Sequence, residues 1–214
     1  MAQIHVLTYN PFQENTIVIE SAGESVVIDP GSYTPEEKKE LIQFLEGLPG
    51  KVVRLLNTHC HLDHIFSNGL IAEKYQLDLE IHPDEEEMLK AAPRIGLSYG
   101  IPTESSPEPS QWLTPGEYIE FGEERLKILF TPGHSKGSVS FYSEKGSYLI
   151  SGDVLFYESI GRTDLPGGDF DTLMNSIQNE FLRLPDETTV YPGHGPVTSI
   201  GHERHHNPFI RQYL

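Results

Sequence analysis

Residues 58–64 read Thr58-His59-Cys60-His61-Leu62-Asp63-His64, and this stretch decides the fold that the chain adopts. The pattern H-x-H-x-D-H arises by chance in only on the order of one such chain in a thousand. His59 and His61 follow a β-branched run, so in an extended segment both imidazoles point to the same side and can share a metal ion. Asp63 and His64 then lie on a turn, aimed at a second position. The stretch predicts half of a two-position metal centre.

Four ligands are too few for two metal ions, and three glycine-bearing loops offer further candidates. Each loop follows a β-branched or aromatic run and contains one residue of a metal-binding type. Glycine lets the backbone turn sharply there, which suits a side chain that must be aimed rather than packed. The loops are Thr131-Pro132-Gly133-His134-Ser135, Ser151-Gly152-Asp153 and Tyr191-Pro192-Gly193-His194-Gly195. His134, Asp153 and His194 are therefore candidate ligands.

The chain of 214 residues passes from strands to helices twice. Short β-branched or aromatic runs predict strands at Ile4–Leu7, Asn15–Glu20, Ser25–Asp29, Val52–Leu56, Leu79–His82, Tyr118–Phe121, Leu126–Phe130, Val139–Ser143, Tyr148–Ser151 and Thr189–Tyr191. Capping residues and apolar spacing predict helices from Thr34-Pro35 to between Gly47 and Gly50, near Asn68–Tyr75, from Asp84 and over Asp171–Leu182. Two such halves favour an α+β fold, a four-layer αββα sandwich of two mixed sheets with helices outside, as one domain over residues 1–214.

Composition alone predicts that three further segments lie at the surface. The stretch from Ala92 to Gly116 has five prolines and predicts a surface loop, which either covers the site or packs as a connection. The acidic groups Glu85–Glu87 and Glu123-Glu124 are predicted to be solvated faces. The histidine-rich tail, His202–His206, is predicted as a solvated end rather than a substrate contact.

Composition excludes several classes of protein. The chain has 15 basic and 32 acidic residues and therefore a net charge of −17. The electrostatic field of this charge repels nucleic acids and anionic membranes. It has no apolar run approaching the roughly 20 residues that cross a bilayer. Cys60 is the only cysteine, which excludes an internal disulfide and a cysteine-rich zinc finger, and we expect it to be packed. The opening residues have no basic start before an apolar stretch, so a cytoplasmic location is expected.

The combined motifs H-x-H-x-D-H, T-P-G-H-S, S-G-D and G-H-G resemble those of the metallo-beta-lactamase superfamily. Within it, the chain looks most like the short glyoxalase II-type hydrolases, which are similar to hydroxyacylglutathione hydrolase. The resemblance extends over nearly the whole chain, through Phe12–Thr16, Asp29-Pro30-Gly31, Gly152–Asp169 and Gly201–Phe209.

The resemblance implies two bound metal ions and a set of ligands for each. His59, His61 and His134 would bind one ion, Asp63, His64 and His194 the other, and Asp153 would bridge them. Imidazole and carboxylate donors suit zinc and also accept iron or manganese. A water shared by two cations loses a proton near neutral pH and can attack a thioester carbonyl, with Asp63 and Asp153 in catalytic roles. The implied partner is a small-molecule thioester, and the implied assembly a monomer or homodimer.

Arg162 is the candidate substrate-binding residue, because glyoxalase II enzymes hold the glutathione carboxylate with a basic residue after a glycine. The alternative is a surface arginine paired with Asp164 or Asp169. Asp164 also departs from the family, which has tyrosine there, and Gly161–Asp164 is typical of persulfide dioxygenases. A mononuclear iron dioxygenase, with the iron on His59, His134 and Asp153, is therefore the alternative function, although Leu165–Asp169 looks more like the short hydrolases.

Other functions fit the chain less well. A purely structural metal site is usually closed and rich in cysteine. A nuclease conflicts with the charge of −17. A β-lactamase conflicts with the missing export signal. A binding module without catalysis predicts metal loading without turnover.

Overall fold

The computed structural model describes residues 2–213, which form two compact units. The N-terminal unit extends to Leu113 and takes in Glu120–Glu124, and the C-terminal unit comprises Thr114–Ile119 and the chain from Arg125 onward. The single-domain prediction over 1–214 stays a prediction, and its end residues Met1 and Leu214 lie outside the described residues. Within residues 2–213, no helix combines the length and hydropathy that crossing a membrane requires.

The N-terminal unit contains a six-stranded mixed sheet in the order β1-β2-β3-β4-β5-β6. The first three strands are antiparallel, and β4, β5 and β6 continue the sheet in parallel to β3. The strands are β1 Gln3–Tyr9, β2 Glu14–Ser21, β3 Glu24–Ile28, β4 Lys51–Leu56, β5 Leu79–Ile81 and β6 Gln111–Trp112. The helices are α1 Pro35–Gly47, α2 Leu62–Ile65, α3 Asn68–Tyr75 and α4 Glu86–Ser98.

Local sequence explains why α1 begins and ends where it does. Thr34 accepts a hydrogen bond from the Glu37 amide, and the Glu37 carboxylate accepts one from the Thr34 amide, which forms a capping box. Leu41 and Leu45 fall at helical spacing and are buried in the core of this unit. The predicted helix is confirmed.

The core of the N-terminal unit fixes the chain around residues 58–64. The buried strands β3 and β4 contribute Val27 and Leu55, and Cys60 packs into the same cluster with 1% of its surface exposed. The expectation that Cys60 is packed is confirmed. Because Cys60 lies in the core, the neighbouring side chains at positions 59 and 61 are directed away from it.

The C-terminal unit contains most of a second six-stranded mixed sheet, in the order β14-β13-β10-β9-β8-β7. Strands β10 and β13 are parallel, whereas β8, β9 and β10 are successively antiparallel. The strands are β7 Tyr118–Phe121, β8 Glu124–Phe130, β9 Val139–Ser143, β10 Tyr148–Gly152, β13 Thr189–Pro192 and β14 Thr198–Ser199, with a separate hairpin of β11 Leu155–Phe156 and β12 Ser159–Ile160. The helices are α5 Phe170–Ser176, continued by a π-helical segment Ile177–Phe181, α6 Ile200–His206 and α7 Pro208–Arg211.

The prediction of an irregular loop from Ala92 to Gly116 was wrong at both of its ends. Helix α4 continues through Pro93 to Ser98, and strand β6 pairs in parallel with β5. A proline in a helix removes one hydrogen-bond donor. The buried face of α4, which includes Leu89, Ala92 and Gly96, holds the helix together despite this loss.

Two of the acidic residues predicted to be solvated are instead buried. Glu85 is 1% exposed and accepts a hydrogen bond from the Cys60 amide, and Glu124 is 4% exposed. The remaining residues of those groups, which include Glu87 and Glu123, are exposed or half-buried. A run of charges at one place in the sequence therefore does not define a single solvated face.

The prediction of a solvated C-terminal end holds for the exposed side chains of His205 and His206 but was wrong for the segment as a whole. Helices α6 and α7 occupy this segment, and Ile200 and Ile210 pack into the core of the C-terminal unit. Ser199 caps α6 by accepting from the His202 amide, and Asn207 caps α7. Both helices are too short to show an apolar period, so the caps were their only signal in the sequence.

Candidate metal centre

The predicted ligands of the N-terminal unit lie together directly after strand β4. His59 is 1% exposed, and His61 is the N-cap residue of the one-turn helix α2, which contains Asp63 and His64. The ring centroids of His59 and His61 are 4.8 Å apart, and those of His59 and His64 are 4.1 Å apart. The Nε2 atom of His64 lies 3.6 Å from a carboxylate oxygen of Asp63. The four predicted residues of this stretch therefore lie in one cluster.

A buried aspartate directly after strand β3 orients this cluster. The Oδ2 atom of Asp29 lies 3.1 Å from His64 Nδ1, and the same carboxylate accepts hydrogen bonds from the Thr58 amide and hydroxyl at 2.7 and 2.6 Å. A carboxylate can only accept, so Nδ1 of His64 holds the ring proton and Nε2 presents its lone pair. Metal-binding histidines are typically oriented in this way. Ligand atoms of Asp29, His59 and His64 lie within 4.8 Å of one another.

This role of Asp29 was not predicted from the sequence. Its only signal was the Asp29-Pro30-Gly31 match at the end of a predicted strand. Asp29 adopts a left-handed backbone conformation with φ of 51°, which aspartate tolerates better than most residues. This turn directs the carboxylate toward Thr58 and His64, whose positions 29 and 35 residues away no local pattern reveals.

A second buried carboxyl group, Glu14, lies behind the same histidine. Glu14 is fully buried, its Oε1 atom lies 4.0 Å from His64 Nδ1, and its other oxygen accepts from the Thr16 hydroxyl at 3.0 Å. Burial raises the pKa of Glu14 well above its usual value. A side chain at Gly31 would overlap the Glu14 carboxyl group, so the glycine permits this close approach.

The Asp63 backbone is fixed by a residue from the β1–β2 turn. The Asn10 side-chain amide donates to the carbonyl oxygens of Gly31 and Asp63 at 2.8 and 3.0 Å. Asn10 has a positive φ of 56°, a conformation in which asparagine is favoured. The amide therefore joins the turn that precedes α1 to the turn of helix α2.

The three predicted ligands of the C-terminal unit also lie together. His134 follows β8, Asp153 follows β10 and His194 follows β13. Because β10 and β13 are parallel neighbours, their carboxyl ends place Asp153 and His194 at the same edge of the sheet. A carboxylate oxygen of Asp153 lies 3.5 Å from His134 Nε2 and 3.4 Å from His194 Nε2.

The ring orientation of His134 is also fixed from behind. Its Nδ1 atom lies 2.8 Å from the backbone carbonyl oxygen of Arg162, which can only accept, so Nδ1 holds the proton. The Nε2 lone pair of His134 then faces the Asp153 carboxylate. Two electron-rich atoms at this separation attract a cation between them. The donor set of imidazoles and carboxylates is one that zinc, iron or manganese accepts, so these residues fit a metal centre.

Gly161 permits the close approach of the two segments that hold Asp153 and His134. A Cβ atom at Gly161 would overlap the carbonyl oxygen of Asp153 and would lie 3.3 Å from His134 Nδ1. The Gly161 amide donates to the Val154 carbonyl at 3.2 Å, which closes the β11–β12 hairpin. The hairpin thus returns the chain to the ligand that precedes it.

The guanidinium of Arg162 pairs with Asp164, which is one of the two surface pairings predicted as the alternative to substrate binding. Two hydrogen bonds of 2.7 Å join the side chains, of which 61% and 69% are exposed. The hydrogen bond from Arg162 lowers the pKa of Asp164 to about 2. The substrate-binding role of Arg162 stays a prediction, but its backbone carbonyl orients His134.

Comparison with known proteins agrees with this geometry. The sequence model of the metallo-beta-lactamase superfamily matches residues 9–194. The chain belongs to the metallo-beta-lactamase superfamily. It is 36% identical over 204 residues to a probable metallo-hydrolase, YqgX, of Bacillus subtilis, with 95% of each chain covered. It is 32% identical over 210 residues to hydroxyacylglutathione hydrolase GloC of Haemophilus influenzae, with 97% of each chain covered.

Solved structures of this superfamily share the fold. A crystal structure of BLEG-1 B3 metallo-beta-lactamase matches with a TM-score of 0.89 and 36% identity, covering 97% of this chain and 99% of that one. TTHA1623 in a di-iron-bound form matches with a TM-score of 0.86 and 35% identity, covering 96% and 99%. The α+β metallo-beta-lactamase fold with two mixed sheets is therefore confirmed, and family membership supports a metal-dependent hydrolase.

Proposed function

We propose that this chain is a dinuclear metal-dependent hydrolase that cleaves small-molecule thioesters of the hydroxyacylglutathione kind. In this proposal His59, His61 and His134 bind one ion, Asp63, His64 and His194 bind the other, and Asp153 bridges the two. The observation that supports it is the orientation of the histidines. His64 and His134 each donate Nδ1–H to a fixed acceptor and direct Nε2 toward a carboxylate.

Zinc is the metal that we propose first, because imidazole nitrogens together with carboxylate oxygens are donors that catalytic zinc sites use. Iron and manganese accept the same donors, and the similar protein TTHA1623 is described in a di-iron-bound form. When bound, two such ions polarise a thioester carbonyl and lower the pKa of a bound water.

The protein residues then have two tasks in the reaction. Asp29 and the Arg162 carbonyl hold the imidazoles of His64 and His134, respectively, in one tautomer and one orientation. Asp63 and Asp153 accept hydrogen bonds from the attacking water and orient it toward the carbonyl carbon. The sulfur of the substrate leaves as a thiolate. The protein therefore needs no general acid to protonate the leaving group, as it would for an amine.

The thiol carrier is the finer part of the proposal. The name of the Haemophilus influenzae relative supports glutathione, a thiol that has free carboxylates. Arg162 is the proposed partner of such a carboxylate, and to bind it Arg162 must exchange its contact with Asp164. We propose that the working assembly is a monomer or homodimer.

The test is hydrolysis of a panel of thioesters by protein whose metal content has been measured. Wild-type protein with two ions per chain should cleave lactoylglutathione, and Asp153→Asn should lose both dinuclear loading and turnover. The loss of metal affinity and of activity should each exceed about 100-fold, because removal of a group that only orients a metal ligand already costs about 10–100-fold. Asp171→Asn, an exposed aspartate in the first turn of α5, is the matched control and should keep both.

Two results would contradict the proposal. Full turnover by Asp153→Asn would exclude Asp153 as the bridging ligand. A wild-type protein with two ions that cleaves no thioester would exclude the activity itself. Including a β-lactam in the panel tests the function named for the similar BLEG-1 protein.

A mononuclear iron persulfide dioxygenase is the second candidate. It is favoured by the Gly161–Asp164 stretch, in which Arg162 is held by Asp164. The crystal structure of ETHE1 from Myxococcus xanthus also matches, with a TM-score of 0.78 and 27% identity, covering 96% of this chain and 83% of that one. One iron per chain, together with oxygen uptake in the presence of a persulfide, would support this function and contradict the hydrolase.

A further inference from the structure

Helix α6 presents a pair of histidines that the candidate metal centre does not use. The helix contains His202-Glu203-Arg204-His205-His206, an H-E-x-x-H sequence in which the first and last residues are four apart. Residues at this spacing lie on the same face of a helix and can bind one metal ion. The ring centroids of His202 and His206 are 4.6 Å apart, so the two imidazoles are neighbours on the surface.

A carboxylate from the β11–β12 hairpin lies beside this pair. The Oε1 atom of Glu158 accepts a hydrogen bond of 3.0 Å from His202 Nε2, so an ion bound between these two atoms would replace the ring proton there. The side chains of Glu158 and His202 are 44% and 30% exposed. The Tyr157 ring stacks on His202 at 4.8 Å with 19° between the planes, which restricts rotation of the imidazole. Two imidazoles and one carboxylate form a common ligand set for a divalent transition-metal ion.

The glutamate inside the H-E-x-x-H sequence has a different role from the general base of metalloproteases. Glu203 is fully buried and accepts hydrogen bonds from the Thr198 hydroxyl, the Asn207 side chain and the Glu158 amide at 2.6, 2.8 and 2.9 Å. These contacts leave Glu203 directed into the protein. They also fasten the hairpin to α6, which keeps Glu158 close to His202.

We propose that His202, His206 and Glu158 form a surface site for one divalent transition-metal ion of the zinc type, separate from the candidate metal centre. His206 is exposed, so its side chain can rotate toward the ion without movement of the backbone. The net charge of −17 favours cations at the surface. Magnesium and calcium prefer a shell of oxygens, so the imidazoles select against them. Because Glu203 faces inward, the site lacks the general base that an H-E-x-x-H sequence supplies in metalloproteases.

The test is a calorimetric titration of Zn²⁺ into protein whose candidate metal centre has first been saturated with zinc and freed of excess. Wild-type protein should bind one further ion per chain. His206→Gln and Glu158→Gln should each weaken this binding at least about tenfold. Loss of a group that only orients a metal ligand already has an effect of this size. His205→Gln, an exposed substitution on the same helix, is the matched control and should bind as the wild type does.

Thermal unfolding supplies a second measurement, because an ion that binds only the folded state raises the melting temperature. Added Zn²⁺ should stabilise the wild type and His205→Gln more than His206→Gln. The absence of a further ion in the wild type would overturn the proposal. Equal binding by His206→Gln, or weaker binding by His205→Gln than by His206→Gln, would overturn the assignment of the ligands. These outcomes do not depend on thioester hydrolysis, so the site and the proposed function fail separately.

Discussion

Replacing Asp29 by asparagine exchanges one acceptor oxygen for an amide group that can only donate. One oxygen of Asp29 accepts from the Thr58 amide at 2.7 Å and from the Asn57 side chain at 3.3 Å, two N–H donors that cannot reverse. The asparagine oxygen must therefore stay on that side. Its NH₂ group then faces His64 Nδ1, which in the wild type lies 3.1 Å from the other oxygen.

The substitution should move the proton of His64 from Nδ1 to Nε2. An imidazole with a proton on Nε2 has no lone pair to offer a metal at that atom. Loss of an outer-shell partner costs about 10–100-fold in metal affinity, which corresponds to about 1.4–2.7 kcal/mol. The free energy of unfolding of the metal-free protein should also fall by about 1.5–3 kcal/mol, which is the contribution of a hydrogen bond to a charged group.

Zinc affinity is measured by competition with a chromophoric chelator at neutral pH, and the free energy of unfolding by urea titration of the metal-free protein. The matched control is Glu80→Gln, which neutralises another buried carboxylate of the same unit, one that accepts from Arg54. The control should lose stability and keep its zinc affinity. Wild-type zinc affinity in Asp29→Asn, or an equal loss in Glu80→Gln, would refute the role of Asp29.

Two further predictions concern the segment after the proposed bridging ligand. Gly161→Ala should lower metal content, turnover and stability, because the new methyl overlaps the Asp153 carbonyl oxygen and overpacking costs about 1–3 kcal/mol. Gly47→Ala, where a Cβ would meet nothing within 4 Å, should leave metal content and turnover unchanged, as metal analysis and urea titration can check. Asp164→Ala should lower the KM for a thioester that has a free carboxylate and leave kcat unchanged, because it releases Arg162. Since Arg162 lowers the pKa of Asp164 to about 2, the pair forms above that pH and is lost only as the pH falls through it. The pair therefore stays formed across neutral pH and should cause no pH dependence of the wild-type KM in that range. A KM that is unaffected by Asp164→Ala would contradict the substrate role of Arg162.

Local patterns were sufficient to predict much of the fold. Helix α3 covers the predicted Asn68–Tyr75, and strands β7 and β9 cover the predicted Tyr118–Phe121 and Val139–Ser143. Their signals are alternation and helical spacing within a few residues, which do not depend on the rest of the chain. The capping box at Thr34 is local in the same sense.

The wrong predictions for buried glutamates share a non-local cause. Glu85 is buried because it accepts from the Cys60 amide, 25 residues away, and Glu203 because it accepts from Glu158, 45 residues away. A buried carboxylate is tolerated only where donors meet it, and the positions of the donors follow from the tertiary structure. Pattern reasoning assigns such residues to the surface because most glutamates lie there.

In the candidate metal centre, the same distinction separates the ligands from the groups that orient them. The ligand types could be predicted, because His134, Asp153 and His194 each follow a strand whose residues are recognisable. The reactive nitrogen of each imidazole could not, because it depends on acceptors such as Asp29 and the Arg162 carbonyl, which lie 35 and 28 residues from their histidines. A relative with identical ligands but different acceptors would present different lone pairs to its ions. Differences in metal preference and rate within this superfamily should therefore be sought first among the residues behind the ligands.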